Sequence, residues 1–309
     1  MIRVLVLGAA AGGGFPQWNS NSLANRRVRS GDPAALPATQ ASIAFSIDGI
    51  SWYLVNAAPD LREQINANEA LHPKVGLRSS PIAGIFLTNG DVDALAGLLH
   101  LRERTAFTLF AHRRIFDVLE ANPIFSVLSP DLVKRRLLKT DEETLLGETE
   151  AESLTVTPFA VPGKVALFME DTSKGEGFGT EEGDTIGLEI KEKNGGVRVL
   201  YIANCAAVDE GLLRRCDGAS LLFFDGTLWR DDEMILGGEG EKTGRRMGHI
   251  SMSGPEGSIA AFAACDVSRR IFIHINNTNP ALLADSPERR LIEEAGWEVA
   301  HDGLMLEVE

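Results

Sequence analysis

The stretch that most constrains the fold is Ile85-Phe86-Leu87-Thr88-Asn89-Gly90-Asp91-Val92-Asp93-Ala94-Leu95-Ala96-Gly97-Leu98-Leu99. A short apolar run halts at Thr-Asn-Gly and resumes as a small-residue apolar pattern at helical spacing. That reads as a strand, a tight loop and a helix start. Asn89, Asp91 and Asp93 are alternate residues, so an extended loop points all three the same way. Three oxygen-bearing side chains aimed at one point at a strand end form a ligand shell for a cation. The competing account is a turn in which Asp91 or Asp93 caps the helix. A cap needs one such residue and this loop has three, which favours a site.

The chain has 309 residues, enough for a large core, and nothing in it marks a linker between two cores. The expectation is a single domain over residues 1–309. Apolar and charged contents of 44% and 24% are those of an ordinary globular protein. A formal net charge of −14 repels phosphate backbones and no basic cluster rises above it, so nucleic acid is not an expected partner. Three cysteines far apart, Cys205, Cys216 and Cys265, show no metal spacing and fit a reducing compartment. Met1-Ile2-Arg3 with Val4 to Leu7 is too short an apolar run for a signal peptide, and no run approaches a membrane span. A cytoplasmic protein without membrane association is expected. Assembly as a homodimer stays open.

In chain order, Arg3 to Leu7 reads as a strand running into Gly8-Ala-Ala-Ala-Gly-Gly-Gly14. A dinucleotide fingerprint fits that loop poorly, because Phe15 and Pro16 follow where a helix must begin. Residues Asn19 to Pro37 read as a long polar surface loop. Ala41 to Phe45 and Ser51 to Val55 form a hairpin across Asp48-Gly49. A helix follows from Leu61, and Thr108 to Ala111 is a short strand. Arg113 through Leu138 reads as helical with a break at Pro123. Leu154 to Val161, Thr185 to Lys191 and Val197 to Ile202 alternate as strands, and Lys174 to Asp184 between them reads as mobile. Leu221 to Phe224 and Ile271 to Ile275 are buried strands. Ser258 to Ala264 and Pro287 to Ala295 are helices, and strands Glu298 to Ala300 and Leu304 to Val308 close the chain. A sandwich of two mixed sheets with outer helices satisfies this order, and so does an open α/β sheet.

Three polar groups follow strands: Asn89/Asp91/Asp93, Asp225 with His249, and His274 with Asn276, Asn277 and Asn279. Strand ends converge on active sites in sheet enzymes, so one pocket is expected. Imidazole and carboxylate together suit zinc, iron or manganese, and two imidazoles with one carboxylate, here His249, His274 and Asp93, leave open positions for oxygen chemistry at iron. Alternatively Asp225 orients His249 as a general acid or base. Each histidine has a plainer account, such as a buried ring bonded to backbone at His274. No histidine lies near Cys205 in sequence, which argues against a nucleophilic thiol. Trp18 and Trp229 flank glycine-rich loops and are candidates to wall a flat substrate, although core packing explains them almost as well.

Gly8 to Asn19, Asn56-Ala-Ala-Pro-Asp60, Leu87-Thr-Asn-Gly-Asp-Val-Asp93, Asp225-Gly-Thr-Leu-Trp229 with Asp231-Asp-Glu-Met234, Met247-Gly-His249 and His274-Ile-Asn-Asn-Thr-Asn-Pro280 together resemble the coenzyme PQQ synthesis protein B family, end to end. The resemblance implies the metallo-β-lactamase superfamily, hence an αββα sandwich of two mixed β-sheets flanked by helices. It implies a part in making pyrroloquinoline quinone (PQQ) from a precursor peptide. Two descriptions of the family exist: an Fe(II)-dependent hydroxylase of a precursor tyrosine, and a carrier that binds PQQ or its precursor without catalysis. The superfamily loop His-x-His-x-Asp-His falls on Asn89, Asp91, Asp93 and Ala94. Its histidine after Pro-Gly falls near Lys164 and its bridging aspartate near Cys205. The resemblance makes Asp91, Asp93 and His274 the metal residues, with His249 and Asp225 the catalytic pair as in related tRNA-processing nucleases. Trp18, Trp229, Asn276 and Asn277 are the expected ligand contacts. Members often carry a cysteine cluster after Trp-Asn that suits a structural zinc. Here Ser20, Ser22 and Asn25 stand in that segment, so the structural zinc is expected to be absent.

Overall fold

The computed structural model describes residues 1–147, 153–175, 177–193 and 195–309. Its strands are β1 (Ile2–Gly8), β2 (Ser42–Ser46), β3 (Trp52–Val55), β4 (Ile82–Phe86), β5 (Phe107–His112), β6 (Val133–Leu138), β7 (Thr144–Leu146), β8 (Leu154–Ala160), β9 (Ile186–Glu192), β10 (Arg198–Ile202), β11 (Leu221–Asp225), β12 (Arg270–Ile273), β13 (Trp297–Val299) and β14 (Met305–Val308). They form two seven-stranded sheets, β14-β1-β2-β3-β4-β5-β6 and β13-β12-β11-β10-β9-β8-β7. Each half of the chain builds one sheet, pairing antiparallel first and parallel afterwards. Strand β14 then returns to pair with β1.

The period-two alternation of each strand divides its side chains between two cores. Val4 and Val6 of β1, Phe86 of β4 and Phe223 of β11 meet between the sheets. Leu5, Leu7 and Ile85 point outward against Leu61, Ile115 and Leu119 of the helices Leu61–Ala67 and Arg113–Ala121. Leu222, Phe224 and Phe272 of the second sheet likewise pack on Leu212, Phe262 and Ile292. The layers are therefore helix, sheet, sheet, helix. Runs such as Leu221 to Phe224 are continuously apolar because both of their faces are covered. This decides against the open sheet that periodicity left possible.

Two segments differ from their sequence reading. Within the polar stretch 19–37, Leu23–Arg29 is a helix whose Ser22 side chain accepts from the Asn25 N–H. It lacks an apolar stripe, so its periodicity is silent. The helix starting at Arg113 ends at Ala121, ahead of Asn122-Pro123, and Val133–Leu138 is an edge strand parallel to β5. Lys134, Arg135, Arg136 and two leucines favour helix intrinsically. Pairing with β5 overrides that preference, and the charges protect the sheet edge.

The described residues of the stretch 174–184 make specific contacts where mobility is expected, and Glu176 lies outside the described residues. Arg114 pairs with Asp184 at 2.9 Å, and the Arg246 guanidinium lies 3.8 Å from the Phe178 ring centroid. Among the described residues no helix is long and apolar enough to cross a membrane.

Phe86 is fully buried and stacks on Phe110 at 4.3 Å between centroids. Phe86→Ala should lower unfolding free energy by about 3–5 kcal/mol, read from chemical denaturation midpoints at unchanged slope.

Candidate metal centre

Loops leaving the carboxyl ends of β1, β4, β10, β11 and β12 converge on a cavity of about 580 Å³. Asn89, Asp91, Asp93, His249, His274 and Asn276 all line it. Isolated bridges stitch the loops together, Ala10 to Gln40 and Ile275, and Asn89 to Thr185. Members of all three polar groups of the sequence thus meet at one cavity, while Asp225, Asn277 and Asn279 lie outside its lining.

Asp225 ends β11 and is fully buried. Its Oδ1 accepts from the Thr227 N–H (3.0 Å) and hydroxyl (2.7 Å), and its Oδ2 accepts from the Cys205 N–H at 2.7 Å and faces His249 Nδ1 at 2.6 Å. Asp225, His249 and His274 cluster closely enough to share a cation. Three residues make four hydrogen bonds to this carboxylate, which fixes the His249 ring beside it.

Tautomers follow from the same bonds. His249 Nδ1 carries the hydrogen that Asp225 accepts, which leaves Nε2 with a free lone pair. The single Thr227 hydrogen goes to Asp225, so His274 Nδ1, 2.8 Å from the hydroxyl oxygen, must donate to it. His274 Nε2 then faces Asp93 Oδ2 at 3.0 Å. The two rings stack at 5.3 Å between centroids. His274 has a left-handed backbone, φ 60°, a strained conformation that surrounding structure must hold. Thr227, which sequence reading left unassigned, is the hub. Its only signal was its place two residues after a strand-ending aspartate.

Asp91 sits at the start of the short helix Val92–Leu95 but makes no side-chain cap bond. It accepts instead from the Leu167 N–H at 3.0 Å. Burial, reinforced by the Asp93 charge, raises its pKa. Burial also pushes Asp93 upward, but the bond and charge of His274 prevail and hold Asp93 below the ordinary value. Burial disfavours charge on His274, yet the bond to Asp93 prevails there too and its pKa is raised. Asn89 spends its side chain on structure, giving Nδ2 to Asn204 and accepting from the Asp91 N–H. Asp93 and His274 would hold a cation here, with His249 and Asp91 on the same cavity wall, and its binding would release the proton the pair shares.

Of the positions where the resemblance expects metal residues, Ala94 is buried, and Cys205 is buried with its thiol donating to the Ala207 carbonyl. Burial pushes that thiol far upward, which leaves it unreactive. Lys164 lines the cavity, but its ammonium pairs with Glu170, which Arg246 also binds at 2.7 Å. These two cations hold the Glu170 carboxyl down to about 2, Arg246 contributing most. Gly248, at φ 89°, leads into His249 where a Cβ would stand 2.9 Å from that of Lys164.

The expected aromatic walls are not on this cavity. Trp18 is 85% exposed, and Trp229 lines a second cavity behind His249. Asn277 is buried and reaches Gln17 rather than the cavity. The apolar lining comes from Val165, Leu167, Phe168, Met234 and Met247.

A family model described as a beta-lactamase superfamily domain matches residues 51–275. Coenzyme PQQ synthesis protein B of Gluconacetobacter diazotrophicus is 55% identical over 309 residues, 99% of each chain. That of Bradyrhizobium diazoefficiens is 51% identical, over 98% of each. The Zn(2+)-bound PqqB from Methylobacterium extorquens has 49% identity and a TM-score of 0.92, covering 99% of this chain and 100% of that one. A diphosphatase of the PhnP family, at 19% identity and TM-score 0.68 over 100% of this chain and 98% of its own, shares the fold.

Glu233 closes the wall beside Met234, accepting from the Thr278 hydroxyl at 2.5 Å and the Trp229 N–H at 2.7 Å. Burial outweighs these bonds and lifts its pKa to about 7. Its protonated form therefore favours folding below the ordinary carboxylate range, and that contribution is lost as pH rises through about 7. Glu233→Gln removes the charge, its one oxygen accepting from the Trp229 N–H and its amide N–H turned to the Thr278 hydroxyl oxygen. It should match the parent melting temperature at acid pH and exceed it at pH values above about 7, measured by thermal melts across the range.

Proposed function

The chain belongs to the coenzyme PQQ synthesis protein B family, within the beta-lactamase superfamily, and on that premise we propose that it serves PQQ biosynthesis as a non-haem Fe(II)-dependent hydroxylase of a tyrosine-derived precursor. The observation that carries this reading is the meeting of His274, His249 and Asp93 in one cavity, each imidazole held by its Nδ1, with His274 Nε2 turned onto Asp93. Two imidazoles and a carboxylate with open positions suit ferrous iron. Zinc in the Methylobacterium extorquens relative supports metal binding in the family, but zinc has no redox chemistry.

Asp93 and His274 would hold the ion, and Asp91 adds a second oxygen donor. His249, fixed by Asp225, completes the set or carries a proton from the substrate phenol. Iron, when bound, supplies the redox chemistry with dioxygen that hydroxylation needs. Met234, Met247 and Phe168 give an aromatic substrate a dry surface to lie on.

The carrier reading has one observation in its favour. Lys242 lines the cavity and offers a cation to a carboxylated quinone, whereas Lys164 beside it is paired with Glu170. Calorimetric binding of PQQ with no turnover under any metal would support it.

Under anaerobic reconstitution the protein should take up ferrous iron stoichiometrically and consume oxygen with a tyrosine-containing precursor. Failure of both uptake and consumption overturns the hydroxylase. Asp93→Ala and His274→Ala should abolish iron binding. Thr227→Val removes the hydroxyl that orients His274, and should weaken metal affinity about 10–100-fold by titration, with the fold intact by circular dichroism.

A further inference from the structure

Asn25 is fully buried, with every hydrogen-bonding atom engaged. The Gln17 backbone N–H can only donate, and it reaches Asn25 Oδ1 at 2.6 Å. That single bond sets the direction of everything after it. Asn25 Nδ2 must face the other way, toward the Ser20 and Ser22 hydroxyls and Asn277 Oδ1 at 2.8 Å. Asn277 Nδ2 in turn faces Gln17 Oε1 at 2.6 Å, and Gln17 Nε2 faces Asn19 Oδ1 at 2.9 Å. Amide orientations that are ambiguous one at a time are fixed together by one backbone donor.

The circuit joins the loop after β1 to the loop after β12. Gln17 lines the cavity directly, and Asn277 passes its second contact to Asn276, which also lines it. The donors are hydroxyls and amides, with Glu239 on the Ser20 hydroxyl as the carboxylate among the described contacts. Thiolate and imidazole are missing from this cluster, so it does not fit the structural zinc implied by the family resemblance.

We propose that Asn25 is a positioning residue, cross-linking the two loops without metal and so setting Gln17 and Asn276 where the cavity meets its ligand. The ligand part of this rests on the cavity being the PQQ-pathway site. The cross-link itself does not.

Asn25→Asp keeps the shape but offers no N–H to Asn277. Asn277→Asp keeps the acceptor for Asn25 but loses the donor to Gln17, so it breaks the circuit elsewhere. In the full chain, hydrogen exchange over residues 11–20 should quicken in both variants. Chelation of the parent protein should leave that exchange unchanged. Manganous ion affinity should stay within about twofold. KM for the precursor, or Kd for PQQ if the protein only binds, should rise about tenfold, the worth of about one net hydrogen bond, with kcat held.

Loosening by chelator alone, protection retained in either variant, or quickened exchange with unchanged KM and Kd overturns the proposal. If the parent neither turns over nor binds PQQ, the assigned function fails, and the circuit is decided by exchange alone. Equal loss of protection in both variants then upholds it, and retention in either overturns it.

Discussion

A carboxylate with no access to water survives only when its oxygens are hydrogen-bonded, and Asp225 makes four hydrogen bonds. Each bond does a second job. The Cys205 N–H ties the turn after β10 to the end of β11. The Thr227 N–H shapes the Asp-Gly-Thr turn, and its hydroxyl hydrogen is committed to Asp225, so that the oxygen can only accept from His274. His249 is fixed in the complementary tautomer. Both rings are thus set by one carboxylate, which bonds His249 directly and reaches His274 through Thr227. An uncharged residue at 225 would leave Thr227 free to rotate and both tautomers undetermined.

The cavity's charges are arranged in opposition. Asp91 and Asp93 lie one residue apart in sequence, yet their pKa values move in opposite directions from the ordinary one. Asp93 is held ionised by its imidazole, while the Leu167 N–H and the charges of His249 and His274 do not outweigh the burial of Asp91. Such divergence marks sites where charge is meant to be used. A bound cation would relieve both, satisfying Asp93 in place of a proton and stabilising ionised Asp91. Lys164 does not supply that cation. Its ammonium is answered by Glu170, which shares itself with Arg246 and leaves the pair part of the wall.

Strand-end motifs were legible in the sequence because they depend on local pattern. Asp93, His274 and Asp225 each follow an apolar run, and a strand end is where polar side chains gather, whereas His249 stood out by its glycine-rich loop. The αββα layering was partly legible. Continuous apolar runs signalled strands with two buried faces, but not which faces touched. Thr227 was not legible, since a threonine after Asp-Gly reads as a turn. Trp18 misled for a similar reason: a tryptophan beside glycines reads as a wall until the chain's path shows it facing solvent. The edge strand β6 was hidden by residues with helical preference, and the helix Leu23–Arg29 by the lack of a stripe. In all these cases the deciding term was a contact with residues far away in sequence.

That distance also explains how the site is assembled. The first sheet carries Asp91 and Asp93 on the loop after β4, whereas the second carries Asp225 and His274 at the ends of β11 and β12. Neither half of the chain holds a complete ligand set. Three kinds of stitch bring the halves to a fixed spacing: the Asn89–Thr185 bridge, the contacts of Ala10 with Gln40 and Ile275, and the Asp93–His274 bond itself. A cation at that bond would span the two sheets. Its binding free energy would then add to the stability of their packing and not merely to that of one loop. The amide circuit through Asn25 lies just beside this seam, bonding the loop after β1 in the first sheet to the loop after β12 in the second. Held without metal, it keeps the cavity's rim in register whether or not the ion is there, so that loading can change charge at the centre while the rim keeps its shape.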